Sequence, residues 1–348
     1  MMMTNPKPKR AYTAPYWGTQ LVETYPRRLM DLIAEQGAYA DLTAGGGRYP
    51  YHVHTELGVP VVINDRNPYV VSYHRSVFTF PWPSKPWSEW LELATEITDP
   101  LKVQPVDGLI TQDHQLLLPT ETKQYLDGLT TREGPLPTFI LRAAVAASLL
   151  THCSYRGYGW AKTTTEKALV STIPPNTVRS WVIQRIHILY QYGAHTKPHL
   201  CRVHNTDLFT WDPTTWPPFP ENTVVYTDPA WPWNEANSSA GSKNPYEFLT
   251  HLGHITHQLP PSPTTRFWTR KQPAEEIVGD VLKWMHNAKS LGAKFFVVST
   301  QSTNYPPVET VYNLLQKHHE LLWRDKTPVR STFSKSTLTD EFGCFKLE

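Results

Sequence analysis

In the last third or so of the chain, Asp228-Pro229-Ala230-Trp231 combines the groups needed to hold a planar amino group for alkylation. A carboxylate and the carbonyl of the following proline can both accept hydrogen bonds from an exocyclic NH₂, and an indole offers a face on which a base stacks. The surrounding residues 224–233 read VVYTDPAWPW. Val224, Val225 and Tyr226 form a short apolar strand that Pro229 and Pro232 forbid from continuing, so Asp228 falls at its carboxyl end. Open α/β sheets bind ligands at such ends. Taken alone, the same residues also read as a turn in which Asp228 caps a loop and Pro-Ala-Trp-Pro packs as a hydrophobic corner.

The elements that must position this segment begin upstream. Residues 21–36 carry Leu29, Met30, Leu32 and Ile33 at helical spacing and stop at Gly37. Residues 38–42 then read as a strand running into TAGGGRYP, where Gly45, Gly46 and Gly47 allow backbone geometry and close ligand approach denied to other residues. A helix and a second strand, residues 59–63, follow and end in NDRNP with Asp65 at the tip. This spacing is that of a βαβ unit, in which an acidic residue ending the second strand is placed to grip the hydroxyls of a bound ribose. Each piece has a plainer reading as well, the glycines as a turn and Asp65 as a helix cap.

Length and composition bound the rest. With 348 residues the chain can bury one large core or two moderate ones. Its three cysteines, Cys153, Cys201 and Cys344, lack metal-ligand spacing, which predicts a reducing cytoplasmic setting and no metal. No run approaches the length of a membrane span, and the basic first residues have no apolar core of a signal peptide. Thirty-two prolines and thirteen tryptophans predict fixed loops and aromatic packing.

Charge is distributed in blocks. Residues 87–134 hold nine acidic side chains against Lys102, Lys123 and Arg132, whereas residues 137–206 hold eight Lys or Arg against Glu166 alone. Beyond Phe80 the alternating strand pattern stops, and helices separated by proline loops begin. Residues 139–150 form an apolar helix, and Asn176 or Thr177 caps another. Between them runs HCSYRGYGWAKTTTEKA, where aromatics alternate with cations as in surfaces that contact phosphates and stack on bases. Its residues Tyr155, Arg156, Tyr158, Trp160, Lys162 and Lys167, with Arg179 beyond, are the candidate DNA contacts. A solvated helix face with core aromatics is the alternative. Strands resume at residues 200–203, 224–226 and 294–299, and a final pair lies near 320–323 and 343–347.

In order, these pieces resemble the Dam/DpnM-like, class-alpha DNA adenine methyltransferases. The similarity spans most of the chain. Asp41-Leu42-Thr43-Ala44-Gly45-Gly46-Gly47 is similar to the family's first glycine motif, and Asn64-Asp65-Arg66-Asn67 to its next. Ser154-Tyr155-Arg156-Gly157 loosely matches a loop of the recognition region, Asp207-Leu208 its Asp-Phe, and Asp228-Pro229-Ala230-Trp231 its Asp-Pro-Pro-Tyr. Val297-Val298-Ser299-Thr300 and Thr339-Asp340-Glu341-Phe342 resemble two later strand segments. Three departures stand out: Trp17-Gly18-Thr19-Gln20 replaces an opening Gly-Gly-Lys, Thr43 replaces a phenylalanine, and Ala230-Trp231 replaces Pro-Tyr.

The resemblance implies a Rossmann-like S-adenosylmethionine-dependent methyltransferase sheet of α/β class with helices on both faces, in two parts, 1–82 and 200–348. Residues 83–199 would be an inserted, mainly helical recognition domain. It implies transfer of methyl to adenine N6 in duplex DNA after base flipping, with Asp228, Pro229 and Trp231 catalytic. Trp17, Gly18, Asp41, Thr43, Gly45, Gly47, Asp65, Asp207 and Asp228 would hold S-adenosylmethionine. A prokaryotic or phage-encoded cytoplasmic enzyme, with or without a restriction endonuclease partner, fits this picture. The alternatives are another nucleic-acid amino group, cytosine N4 or RNA adenine, or a catalytically impaired DNA-binding homologue.

Overall fold

The computed structural model describes residues 26–154, 160, 169–232, 245–260, 268–302, 304–330 and 337–347. The chain divides into two compact units. One is helical and uses Asn67–His199 with Ser242–Thr265; the other carries the sheet and uses Gln20–Arg66, Leu200–Gly241 and Arg266–Glu348.

The sheet unit opens with helix α1 (Arg27–Gln36), which buries Leu29 and Ile33. Gly37 ends it at φ 84, a left-handed position that glycine adopts without the Cβ clash. Strand β1 (Ala38–Asp41) leads through the glycine loop into α2 (Arg48–Leu57), and β2 follows at Val61–Asn64. β2 starts two residues later than its sequence pattern predicts, after Pro60, which has no N–H for a ladder.

The helical unit contains α3 (Pro68–Phe78), α4 (Trp87–Ile97), α5 (Leu109–Gln112), α6 (Thr120–Thr131), α7 (Thr138–His152), α8 (Pro175–Gly193) and α9 (Pro245–His257). Asn67 caps α3 by accepting the Tyr69 N–H at 3.0 Å. α3, buried along nearly its whole length, packs against α7, α8 and α9. The boundary therefore falls at residue 67, where the sequence places it at 83, and α9 joins the helices from far downstream. Gly253 lets α9 come close to α3, since a Cβ there would lie 2.5 Å from the Asn67 Oδ1. α8 starts at Pro175 with no side-chain cap, so neither Asn176 nor Thr177 serves as one. Proline suits this first helical position because its missing N–H has no helical partner anyway.

The remaining strands are β3 (Cys201–His204), β4 (Thr223–Thr227), β5 (Phe295–Gln301), β6 (Glu320–Arg330) and β7 (Thr337–Lys346), with helices α10 (Ala274–Ser290) and α11 (Val308–Leu315) between β4 and β6. The sheet order is β3-β2-β1-β4-β5-β7-β6. β1 to β5 run parallel, and β7 lies antiparallel between β5 and β6. β1 pairs with β2 on one side and β4 on the other, so the winding reverses between β1 and β4. That reversal opens the crevice in which doubly wound sheets take ligands.

Both faces of the central strands are covered, hence their continuous apolar runs. Ala40, Val62, Val225, Phe296 and Val298 join one core with Ile277, Val281, Trp284 and Met285 of α10 and Val311 and Leu315 of α11. The opposite face carries Tyr39, Tyr226 and Phe342, a row whose adjacent ring centroids are 6.4 and 6.5 Å apart. Tyr49 of α2 meets Tyr226 edge-on there at 5.7 Å.

Candidate active site at the strand ends

The loop after β1 is tied down by its own residues. Asp41 accepts the Thr43 N–H at 3.1 Å and the Tyr39 hydroxyl at 3.4 Å. Burial pushes its carboxyl up to about 7 against the pull of those hydrogen bonds, and the charge of Asp65 adds to the rise. Gly45 and Gly47 have φ of 47 and 69, conformations strained for other residues. Gly45 donates its N–H to the Asp65 carboxylate at 3.0 Å. The acidic tip of β2 thus holds the glycine loop directly, one of its oxygens committed to the protein.

Asn64, beside Asp65 at the tip of β2, ties the loops after β1 and β3 to its own strand. Its amide N–H₂ donates to the carbonyls of Leu42 at 2.9 Å and Thr206 at 3.0 Å, and its Oδ1 accepts the Thr206 N–H at 3.0 Å. Ala44 donates in turn to the Asn64 carbonyl. Asp207, a predicted cofactor contact, is half-buried and caps a short 3-10 turn by accepting the Phe209 N–H at 3.0 Å.

Asp228 follows β4 where predicted. Its backbone N–H donates to the Thr43 hydroxyl at 2.8 Å, and the same hydroxyl lies 3.3 Å from that of Thr227. Thr43 therefore joins the glycine loop to the Asp-Pro segment across the switch point, a bond that phenylalanine could not make. Asp228 keeps some surface as a residue, yet burial pushes its carboxyl up to about 8, with the charges of Asp340 and Asp41 adding to the rise. The Ser299 hydroxyl opposes that rise without making an aligned hydrogen bond.

The carbonyl of Pro229 accepts the Trp231 N–H at 2.7 Å in a tight turn, which leaves the oxygen one of its two lone pairs. That turn sends Trp231 away from Asp228 and into the core shared with α10. Trp231 is 6% exposed, donates its indole N–H to the Ser299 carbonyl at 2.8 Å, and lies against Trp268 with centroids 5.2 Å apart. The expectation of a ring open to a flipped base is corrected here: Trp231 packs the loop in place.

No protein-family model matches the chain, and no curated protein matches it either. The chemistry of the site has to be read from its own residues. The register puts Asp41, Asp228 and Asp340 on one face of the sheet, at the carboxyl ends of the parallel strands. Among the described residues no group of three His, Cys, Asp or Glu side chains could hold a metal ion. Burial makes the ionised form of these carboxyls costly, and a ligand that brings positive charge and donor hydrogens relieves that cost.

The predicted DNA contacts divide by position. Tyr155, Arg156, Tyr158, Lys162 and Lys167 lie outside the described residues, as do the predicted cofactor contacts Trp17 and Gly18. Trp160 is buried, with Phe248 edge-on at 5.0 Å, and donates its indole N–H to Asp113 at 2.9 Å. It is a packing residue, and its ring is not presented for stacking on a base. Arg179 is half-buried and donates to the Thr95 carbonyl in the last turn of α4 at 2.8 Å. Asp113, unnoticed in the sequence, gathers Trp160, His251 at 2.8 Å and the N–H of Gln115. Burial alone would raise its carboxyl, but these hydrogen bonds outweigh it and hold the group below its ordinary value. Among the described residues no helix is long and apolar enough to cross a membrane.

Proposed function

We propose that the protein is an S-adenosylmethionine-dependent methyltransferase acting on a nucleic-acid amino group, with adenine N6 in duplex DNA as its substrate. The observation that carries this reading is the hydrogen bond from Asp228 N–H to Thr43. It joins the glycine loop to the Asp228-Pro229 segment, where a donor held by the first would face a base held by the second. Independent support comes from the sheet order, whose switch point lies at these two loops.

The residues fit the cofactor. Gly45 and Gly47 leave the loop without side chains at left-handed positions, Asp65 stands at the end of β2, and the Ser299 hydroxyl is buried without a hydrogen-bond partner beside Asp228. The glycine loop and Asp65 would hold the nucleoside portion, and the carboxyls of Asp41 and Asp228 favour a cation over an anion. When bound, the cofactor supplies an activated methyl group on a sulfonium.

The protein's own contribution is placement. The Asp228 carboxylate and the free lone pair of the Pro229 carbonyl accept the two N–H bonds of the amino group, which turns the nitrogen lone pair out of the ring plane. Acceptors fixed in advance stabilise the positive charge that develops on nitrogen. A base in a duplex must be extruded to reach them, at a cost of a few kcal/mol that phosphate contacts offset.

The test is transfer of labelled methyl to duplex DNA, followed by mass analysis of the nucleosides. N6-methyladenine is the expected product, lost in Asp228→Ala. N4-methylcytosine, or label found only in RNA, overturns the choice of substrate, and the absence of transfer to any nucleic acid overturns the enzyme.

A further inference from the structure

A further carboxyl of the same crevice lies in a segment whose sequence suggests only a strand. Asp340 is 1% exposed near the start of β7, opposite Gln301, whose amide donates to it at 2.9 Å. Side chains alternate across a strand, so Asp340 and Phe342 share the face of Ser299 on β5, and through Thr227 paired with Val298 that is also the face of Asp228. Between them stands the Ser299 hydroxyl, 1% exposed and without a hydrogen-bond partner.

We propose that Asp340 is a positioning residue that acts, across the shared face of the sheet, through Asp228, which takes the proton released when an amino nitrogen is alkylated. This rests on the methyltransferase reading. The nitrogen lone pair forms the new N–C bond as the donor's C–S bond breaks and leaves its electron pair on sulfur. The nitrogen then carries one proton too many, which passes to the Asp228 carboxylate. An ordinary carboxylate is a poor acceptor near neutrality, and a like charge nearby improves it.

The groups around Asp228 are consistent with this role. Asp41 on β1 adds negative charge, and Tyr312 on α11 feels the Asp228 charge from the other side of the sheet. Arg324 and Lys326 on β6 pair at 2.8 and 3.0 Å with Glu341, which alternates to the face opposite Asp340. Arg48 opens α2, and the charged residues of α1, Arg27, Arg28, Asp31 and Glu35, are exposed.

The experiment is a carboxyl titration of the full chain by carbon NMR with labelled aspartate, using Asp228→Asn and Asp340→Asn to assign the two resonances. In Asp340→Asn the Asp228 midpoint should fall by about one pH unit, and the pH profile of methyl transfer should move down with it. Should that variant not fold, the unsubstituted protein still decides: the Asp228 resonance, assigned from Asp228→Asn, must show a second step at a lower midpoint. An unchanged Asp228 midpoint, or two independent single-step curves, overturns the part given to Asp340 and leaves the proposed activity standing. Coupled titration in a protein that transfers no methyl group overturns the base role.

Discussion

The Thr43 hydroxyl accepts the backbone N–H of Asp228 at 2.8 Å, linking the loop after β1 to the loop after β4. Thr43→Val keeps the shape and deletes the acceptor, stranding a part-buried N–H. The expected loss is about 1–3 kcal/mol of stability, read as a lower midpoint in urea unfolding. Methyl transfer should fall with it, while Thr43→Ser retains both.

Replacing Asp228 by alanine removes one amino-group acceptor. The activity should drop by about 100-fold or more, the scale of losing one preorganised partner of developing charge. Burial of the ionised carboxyl is unfavourable, so the variant's thermal midpoint at pH 8 should equal or exceed the parent's. A variant that transfers methyl normally would remove Asp228 from the mechanism.

Stability should decline as pH rises through neutrality. Burial leads the causes that raise Asp41 to about 7, Asp340 to about 6 and Asp228 to about 8, all above the value near 4 of an unfolded chain. The folded state therefore binds more protons between about pH 4 and 8. The stability these groups contribute is complete below pH 4 and lost progressively up to the folded values. Thermal melts from pH 5 to 8 should show a falling midpoint, with a shallower slope in Asp228→Asn.

Trp231→Phe separates packing from stacking. The change deletes the indole N–H bound to the Ser299 carbonyl and part of the contact with Trp268. A loss of about 1–3 kcal/mol is expected, with an unchanged KM for DNA. A higher KM at unchanged stability would instead mean that the ring touches the substrate.

What the sequence made legible was the local punctuation. Gly37, the glycine loop, Asp65 and Asp228-Pro229 are where strands and helices stop, and proline and glycine act within a few residues. Asp340 and Ser299 lie in segments that resemble family strands, but their place beside Asp228 was not legible, because it lies in which face of which strand they occupy, and that depends on pairings between distant segments. Trp231 and Trp160 misled for a related reason. An aromatic in a motif looks the same whether it lines a crevice or fills a core, and only burial and the fate of the indole N–H tell the two apart.

The position of β4 inside the sheet also governs how the chain can be made. β1 is synthesised early, yet one of its two partners is reached only when Ala38 meets Thr223. During translation that edge stays unpaired while the whole helical stretch from Asn67 to His199 emerges. An exposed parallel edge waiting so long invites pairing with other chains. Slow release of the C-terminal half, or its loss by truncation, should therefore yield aggregates built on β1 and β2 in place of a soluble half-protein.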